Sequence, residues 1–407
     1  MSDRHSDEIK IVQQEGRKPL PPRVKRMQTS MAEEGIDAVI LFKPENSFYM
    51  TGFNPIIYSQ PVVAIVPRDS DPIMLVYALR DEHSRGSAWV PDIRLFGVWS
   101  TKVTMGPNWL DALVSILNDL NLADKKIGFE EDSMLLQRYG QLQSALPNAQ
   151  FIEAGPLVNR CRLIKDPDEV ANARVAGKIS DVGMETAVAT LAAGGTERDI
   201  CVAAMHEMNK FWAANYPDVE VCDFGSLEGG IQNGLQFWAL SGPRIFYNCD
   251  NPTQRKPLRG ETVSLLSWTI ANGIHAENER TVAFGKLPDA NRKALDAILE
   301  IRAEVDPFIK PGTPFKDLFQ MSKQGMEVRG YGAFIPGRIG HSIGLGAHEQ
   351  SSIDAKSQLV LEPNMIITFE PHIQSYGEFQ TQISDTVLIT ETGREYLTRS
   401  HNGYVEL

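Results

Sequence analysis

The chain has 407 residues, which is too long for one hydrophobic core, because such cores stop growing near ~250–300 residues. Apolar residues make up 42% and charged residues 23% of the sequence, a composition that excludes intrinsic disorder and predicts two or three domains. The 52 acidic residues outnumber the 40 basic ones, and the net charge of −12 argues against nucleic acid and anionic membranes as partners.

Residues 1–22 are predicted to form a polar arm, because they lack the apolar segment of a secretory signal. No stretch of the chain approaches ~18 uncharged apolar residues, so we expect no membrane span. The four cysteines are far apart, and no pair has the C-x-x-C spacing of a zinc or redox motif. The sequence therefore predicts a cytoplasmic protein that binds neither nucleic acid nor membrane.

Residues 23–160 are predicted to form an α/β domain, because helices alternate with short strands. Val24–Glu34 has helical spacing and ends near Gly35, and Asn108–Asn121 also has a helical pattern. The apolar runs between these helices and after them have the length of buried strands. They lie at 38–42, 61–67, 72–77, 126–129 and 150–152.

The pattern changes near residues 156–166, and we place a second domain at 161–407. Asp166 begins a helix with Pro inside an acidic first turn. That helix extends to about Ala192, and another opens at Thr196 and continues to about Ala213. The later predicted segments are a strand-rich and turn-rich region at 221–285, a helix at 289–310, and short strands at 365–369, 383–389 and 396–397.

A predicted hairpin in the second domain carries three ionisable residues. Residues 263–284 form two strands around an Asn-Gly turn. His275, Glu277 and Glu279 alternate in the second strand and therefore share one of its faces. Because burial of such groups is costly, they form either a solvated edge or a functional site.

Three other segments hold further polar residues. The glycine-rich segment 339–349 contains His341 and His348, two of the eight histidines of the chain, which favours a site over a solvated loop. Glu370 ends an apolar strand, and residues 241–252 form a polar loop. Taken alone, an exposed strand edge and a surface connection are the ordinary explanations for these last two features.

The order of these motifs resembles the pita-bread family that includes creatinase, aminopeptidase P, prolidase and methionine aminopeptidase. Glu45–Phe53 is similar to the first-domain motif of the creatinase and prolidase branch. Arg162–Glu169 is similar to the start of the family's catalytic domain, and Leu361–Pro371 to its late strand pair. The resemblance covers nearly the whole chain and implies an α/β N-terminal domain followed by an α+β pita-bread catalytic domain.

The resemblance also carries expectations about metal. The metallopeptidases of this family hold two metal ions with two Asp, one His and two Glu. These positions fall on Leu266, Glu277, His341, Glu370 and Ser384, so three of the five differ. A leucine has no donor atom, and a neutral serine is a poor replacement for a carboxylate. We therefore expect no catalytic metal and no other cofactor, with a single weakly held ion as the one exception.

In lacking the metal ligands, this chain resembles creatinase, which hydrolyses a guanidinium C–N bond without a metal ion. Glu279 and Glu370 match the two carboxylates that hold the creatinase substrate, and His341 matches a histidine of that site. Carboxylates suit a planar cation because it offers paired N–H donors. The resemblance therefore implies the metal-free creatinase branch.

Other creatinase residues are replaced in this chain. The catalytic histidine of creatinase falls on Cys249 or Asp250, and a tyrosine of its site falls on His275. The first-domain arginine that reaches across the creatinase dimer falls on Gln60, with an aromatic residue nearby at Tyr58. These differences argue against creatine itself as the substrate.

The sequence thus predicts a metal-independent hydrolase of a small amidine, guanidino, urea-like or cyclic amide substrate. Glu279 and Glu370 would polarise the substrate, and His275 or His341 would act as general base. Asp250 would orient the histidine. The residues expected to bind the substrate are Tyr58, Gln60, Tyr247, Cys249, Glu277, Arg338 and His348.

The resemblance further implies a homodimer with sites near the subunit interface, where Tyr58 and Gln60 would reach across from the second subunit. Three alternative functions stay open. They are a degenerate metal-dependent peptidase of the aminopeptidase P or prolidase type, a small-molecule lyase, and a non-catalytic binding protein on the same fold.

Overall fold

The computed structural model describes residues 19–99, 101–224 and 233–400. Most of the predicted polar arm, residues 1–18, lies outside this range. The chain divides into two units by internal contacts. One unit contains the described residues 19–162 together with Phe224, and the other contains residues 163–223 and 233–400.

The first unit is built on a six-stranded mixed sheet with the strand order β4-β3-β2-β1-β5-β6. The strands are β1 Ala38–Leu41, β2 Val63–Pro67, β3 Ile73–Tyr77, β4 Asp92–Phe96, β5 Lys126–Phe129 and β6 Gln150–Glu153. The helices are α1 Pro22–Glu34, α2 Pro44–Thr51, α3 Asp81–Ser87, α4 Trp109–Asp119, α5 Leu136–Ala145 and α6 Gly155–Leu163.

Helix α4 shows how the sequence forms this α/β layer. The Asn108 side chain accepts a hydrogen bond from the Asp111 amide and so caps the helix. Ala112, Leu113, Ile116 and Leu117 recur at helical spacing and are all buried, and they belong to the core that includes the sheet strands. This is the alternation of helix and strand that the sequence predicts.

The second unit contains an antiparallel sheet with the order β10-β13-β9-β8-β7, and β14 pairs with β13. Its strands are β7 Gln236–Ser241, β8 Glu261–Ala271, β9 Ile274–Phe284, β10 Ile366–Phe369, β11 Gln374–Ser375, β12 Phe379–Gln380, β13 Ser384–Ile389 and β14 Arg394–Tyr396. Its helices are α7 Pro167–Ala192, α8 Glu197–Asn215, α9 Asp289–Val305 and α10 Phe315–Val328.

Helices line two hydrophobic cores in this unit. One core joins buried residues of α7 and α8, such as Met184 and Met208, to β7, β8 and β9. The other joins α9 and α10 to β10 and β13, with Ile298 and Phe369 among its buried residues. Helix α7 begins at a capping box formed by Asp166 and Glu169, as its acidic first turn predicts.

The hairpin of β8 and β9 positions the polar residues of the second unit. Its eleven-residue strands pair from Glu261–Phe284 to Ala271–Ile274. Asn272 and Gly273 join them, and both have positive φ, of 46° and 83°. This is the left-handed turn that an Asn-Gly pair favours, and it fixes the register of the hairpin.

Within the described ranges, the helices are all too short or too polar to cross a membrane.

Candidate active site

Glu277 and Glu279 project from the same face of β9, as their spacing of two predicts. Both side chains are buried, with 1% and 7% of the residue surface exposed. The register of the hairpin places Trp268 opposite Glu277 and Leu266 opposite Glu279. The two carboxylates therefore lie inside the unit and not on a solvated strand edge.

The glycine-rich segment brings His341 to these carboxylates. A Cβ atom at Gly340 would lie 2.2 Å from the carbonyl oxygen of Thr368, so only glycine permits this approach to β10. The His341 amide donates to Thr368 Oγ1 at 3.0 Å, and the Thr368 amide donates to the His341 carbonyl at 2.7 Å. The Glu370 amide donates to the Ile339 carbonyl at 2.9 Å. These bonds hold His341 and Glu370 side by side.

The resulting site is a group of three carboxylates and two imidazoles, which we call the carboxylate–imidazole cluster. His341 Nε2 lies 3.7 Å from Glu277 Oε2 and 3.8 Å from Glu370 Oε1. The rings of His341 and His348 have centroids 4.5 Å apart. The members of the cluster are Glu277, Glu279, His341, His348 and Glu370.

His341 is held in a defined orientation. Its Nδ1 lies 3.0 Å from the Ser342 carbonyl oxygen, which can only accept, so Nδ1 carries the proton and donates. Nε2 is fully buried and makes no hydrogen bond to any described residue. A buried nitrogen aimed between two carboxylates is costly unless a cation or a proton satisfies it.

Glu277 also has partners for both of its oxygens. Ser384 Oγ donates to Oε1 at 2.6 Å, and Trp268 Nε1 donates to Oε2 at 3.0 Å. Burial alone would raise the pKa of the Glu277 carboxyl, but His341, Ser384 and Trp268 together hold that pKa below its usual value. Glu277 is therefore an anion at neutral pH.

The other two carboxylates are harder to ionise. Burial, followed by the charges of Glu277 and Glu370, raises the pKa of Glu279 well above its usual value. Burial and the Glu277 charge raise the pKa of Glu370 to about 7. Burial lowers the pKa of His341, but the neighbouring carboxylates outweigh it and the net shift is upward. The cluster thus attracts positive charge, as a proton or as a bound cation.

The donor atoms suit one divalent cation. The side-chain donors of Glu277, His341 and His348 lie within 4.8 Å of one another, and so do those of Glu277, Glu279 and Glu370. Both groups share Glu277, so an ion at either position would use this carboxylate. Leu266 and Ser384 add no further carboxylate to the cluster, and the Ser384 hydroxyl already donates to Glu277.

Two further predicted residues contact this region. Arg338 Nε lies 3.4 Å from Glu370 Oε1, and the Arg338 side chain is 37% exposed. His275 Nδ1 lies 2.9 Å from the Gly344 carbonyl oxygen, and burial lowers the pKa of the His275 imidazole. His275 therefore supports the glycine-rich segment, and it is absent from both groups of donors that fit a cation.

The loop before β8 holds three other predicted residues. Asp250 pairs with Arg244 at 3.1 Å, so the structure does not bring this carboxylate to a histidine. Burial and the charges of Glu279 and Glu277 raise the pKa of the Cys249 thiol, which disfavours the thiolate that a nucleophile requires. Tyr247 is 53% exposed and stacks under the Arg244 guanidinium.

Tyr58 and Gln60 lie in the first unit. The Tyr58 side chain is buried and its hydroxyl donates to Asn54 Oδ1 at 3.2 Å, whereas Gln60 is exposed. Their predicted contribution to a substrate site across a dimer stays a prediction.

The sequence reasoning missed Trp268 and Gln382. Trp268 donates to Glu277, and Gln382 Nε2 donates to Glu279 Oε1 at 3.1 Å. Counting outward from the Asn-Gly turn identifies Trp268, because an antiparallel hairpin places it opposite Glu277. Gln382 has no comparable signal, since it approaches Glu279 from a distant segment of the chain.

Comparison with known proteins identifies relatives along nearly the whole chain. The model of metallopeptidase family M24 matches residues 171–391, and that of the creatinase/prolidase N-terminal domain matches residues 23–164. The Bacillus subtilis protein named "Putative dipeptidase YkvY" is 25% identical over 379 residues, which cover 93% of this chain and 97% of the relative.

Solved structures show the same fold. An Xaa-Pro dipeptidase from Bacillus anthracis aligns with a TM-score of 0.79 and 22% identity, covering 95% of this chain and 99% of that one. The prolidase from Pyrococcus horikoshii aligns with a TM-score of 0.74 and 21% identity, covering 93% and 99%. The predicted fold class, an α/β N-terminal domain with a pita-bread catalytic domain, is confirmed.

The prediction of a metal-independent, creatinase-like hydrolase of a non-peptide bond is wrong. The matching family is one of metallopeptidases, and the relatives carry the names of dipeptidases and prolidases. The structure adds the physical reason, because it gathers donor atoms that the position-by-position comparison of ligands did not count. His348 and Glu279 lie beside Glu277 in space, although neither occupies one of the five ligand positions considered.

Proposed function

Because the chain belongs to metallopeptidase family M24, we propose that it is a metal-dependent peptidase that hydrolyses the peptide bond of a small substrate such as a dipeptide. The observation that carries this proposal is the buried Nε2 of His341, which lies between Glu277 and Glu370 without a hydrogen bond to any described residue. The relative named as a dipeptidase, aligned over nearly its whole length, supports the substrate class.

The carboxylate–imidazole cluster would hold one divalent cation, with Glu277 as a ligand in either donor group. Such an ion supplies a Lewis acid for the scissile carbonyl and lowers the pKa of a bound water. Trp268 and Ser384 orient Glu277 through one hydrogen bond to each oxygen. These two hydrogen bonds would hold the Glu277 carboxylate in one orientation towards the ion.

Glu370 is suited to move the proton in this reaction. Its carboxylate lies beside His341, where it can accept a proton from the attacking water and return it to the leaving nitrogen. Arg338 lies beside Glu370 and is partly exposed. Its guanidinium can pair with the free carboxylate of a short peptide, which favours a substrate with an unblocked C-terminus.

We also propose that the enzyme works in the cytoplasm as a homodimer. The four cysteines are all free in the structure, which is compatible with a reducing compartment.

Hydrolysis of dipeptides by the purified protein tests this function. The protein is treated with a chelator, dialysed, and supplied with Mn²⁺, Co²⁺ or Zn²⁺ before incubation with a panel of dipeptides that includes Xaa-Pro sequences. We expect free amino acids to appear, detected by mass spectrometry, only when metal is added. Glu370→Gln should lower kcat by about 10²–10⁴-fold, because a positioned proton carrier contributes that much.

A matched control is Glu391→Gln, since Glu391 is an exposed carboxylate of the same unit. It should leave the rate unchanged. Turnover that survives complete removal of metal, or an absence of turnover on every dipeptide with every ion, contradicts the proposal.

A further inference from the structure

Resting on the proposed function, we infer that the ion of the cluster is held by Glu277, His341 and His348, as a zinc-type site with two imidazoles and one carboxylate, and not by the three carboxylates. The donor atoms of these residues lie within 4.8 Å of one another. Two imidazoles and one carboxylate are a donor set that binds Zn²⁺ in catalytic sites, where a fourth position stays open for water or substrate.

The distances are close to those of a coordinated ion. Donor atoms bound ~2.1 Å from a tetrahedral ion lie about 3.4 Å apart. His341 Nε2 and Glu277 Oε2 are 3.7 Å apart, so a small movement of these two side chains reaches that spacing, and the His348 donor lies within 4.8 Å of both. His348 is exposed, which leaves one side of the site open.

The outer contacts are those expected of metal ligands. A metal-bound histidine normally donates its other ring N–H to a carbonyl or carboxylate, and His341 does so through Nδ1 to Ser342. Glu277 accepts one hydrogen bond on each oxygen and keeps lone pairs for an ion. The Trp268 ring contacts His348 edge to face at 5.3 Å and restricts its orientation.

The group of three carboxylates is the weaker alternative. An ion held by Glu277, Glu279 and Glu370 would have oxygen donors only, and the buried Nε2 of His341 would keep no partner. Leaving a buried nitrogen unsatisfied costs free energy, and the site with two imidazoles removes that cost. It also leaves Glu370 available for proton transfer.

Metal binding measured without substrate tests the assignment. Zn²⁺ affinity is determined by competition with a chromophoric chelator, and Co²⁺ is added as a spectroscopic probe of tetrahedral coordination. We expect one Zn²⁺ per chain and visible absorption from bound Co²⁺. Trp268→Phe removes a hydrogen bond to a ligand and should lower Zn²⁺ affinity by roughly 10–100-fold. His348→Ala removes an inferred ligand and should lower the affinity by more than that.

Two kinds of variant serve as controls. His206→Ala removes an exposed histidine of α8 and should leave Zn²⁺ affinity unchanged. Glu279→Gln should also retain binding and the Co²⁺ spectrum, since Glu279 lies outside the inferred ligand set.

The opposite pattern overturns the inference. If Glu279→Gln abolishes Zn²⁺ binding while His348→Ala retains it, the three carboxylates are the ligands. If the native protein binds no Zn²⁺, the imidazole site is absent. In either case, hydrolysis of dipeptides with another ion would leave the proposed function standing, so the two failures are distinguishable.

Discussion

At the scale of single residues, Glu279 is the most unusual member of the cluster. It is buried beside two other carboxylates and opposite Leu266, with Gln382 donating to one oxygen. Its raised pKa means that the folded protein binds a proton at a pH where the unfolded chain has already released it. Such a group lowers the free energy of unfolding at neutral pH. Proteins tolerate this cost mainly at functional sites.

Replacing Glu279 with Gln should stabilise the metal-free protein at pH 7–8. A carboxyl whose pKa is raised by folding contributes its full stability below the unfolded pKa, near 4.5, and loses it as the pH rises towards the folded pKa. Glutamine has the shape of the neutral form and does not ionise. The gain should therefore disappear at about pH 4, as measured by urea unfolding in the presence of a chelator.

A matched control for this prediction is Glu378→Gln, since Glu378 is an exposed carboxylate of the same unit. It should show no pH-dependent gain. If Glu279→Gln instead destabilises the protein equally at pH 4 and pH 8, the carboxylate is a neutral hydrogen-bonding group of the fold in both conditions.

At the scale of elements, local signals were sufficient for some parts of the fold. The alternation of Glu277 and Glu279 and the Asn-Gly turn predict the hairpin, because both depend on neighbours in sequence. Helix α2 was not predicted, although Pro44 is its first residue. The residues at its start are held by Glu130, which comes from a distant part of the chain and cannot be identified from a local pattern.

Glu130 fixes the start of α2 through three hydrogen bonds. One oxygen accepts from the amides of Phe42 and Lys43, and the other from Asn46 Nδ2. Glu130→Gln places an amide NH₂ where one of these oxygens accepts, so at least one buried donor loses its partner. We expect a loss of about 1–3 kcal/mol in the free energy of unfolding, measured by denaturant titration.

The neighbouring Glu131 provides the control for this prediction. Its side chain is exposed, so Glu131→Gln should change the free energy of unfolding by less than about 0.5 kcal/mol. Equal effects of the two substitutions would show that the hydrogen bonds accepted by Glu130 do not stabilise the fold.

At the scale of the whole molecule, the order of motifs was enough to predict both domains, because each motif marks a fixed place in the family fold. The chemistry could not be predicted in the same way. Whether a metal binds depends on which donors converge in space, and the fold places the donor atoms of His348 and Glu277 within 4.8 Å of each other. The prediction of a metal-free enzyme rested on the changed residues at Leu266, Glu277 and Ser384, and counting ligands by sequence position did not consider His348.

The division into two units predicts where a bound ion changes stability. All members of the cluster lie in the second unit, and a ligand stabilises the structure that binds it by mass action, by about 2.7 kcal/mol at 100 times its Kd. Hydrogen exchange with Zn²⁺ should therefore slow in peptides from β8, β9 and residues 339–349. Strands β1 and β2 of the first unit should exchange at the rate seen with chelator.

His348→Ala should remove the difference between exchange with Zn²⁺ and exchange with chelator, because it removes an inferred ligand. Equal slowing in β1 and β2 would show instead that the two units open together, and no slowing in either would contradict metal binding at the cluster.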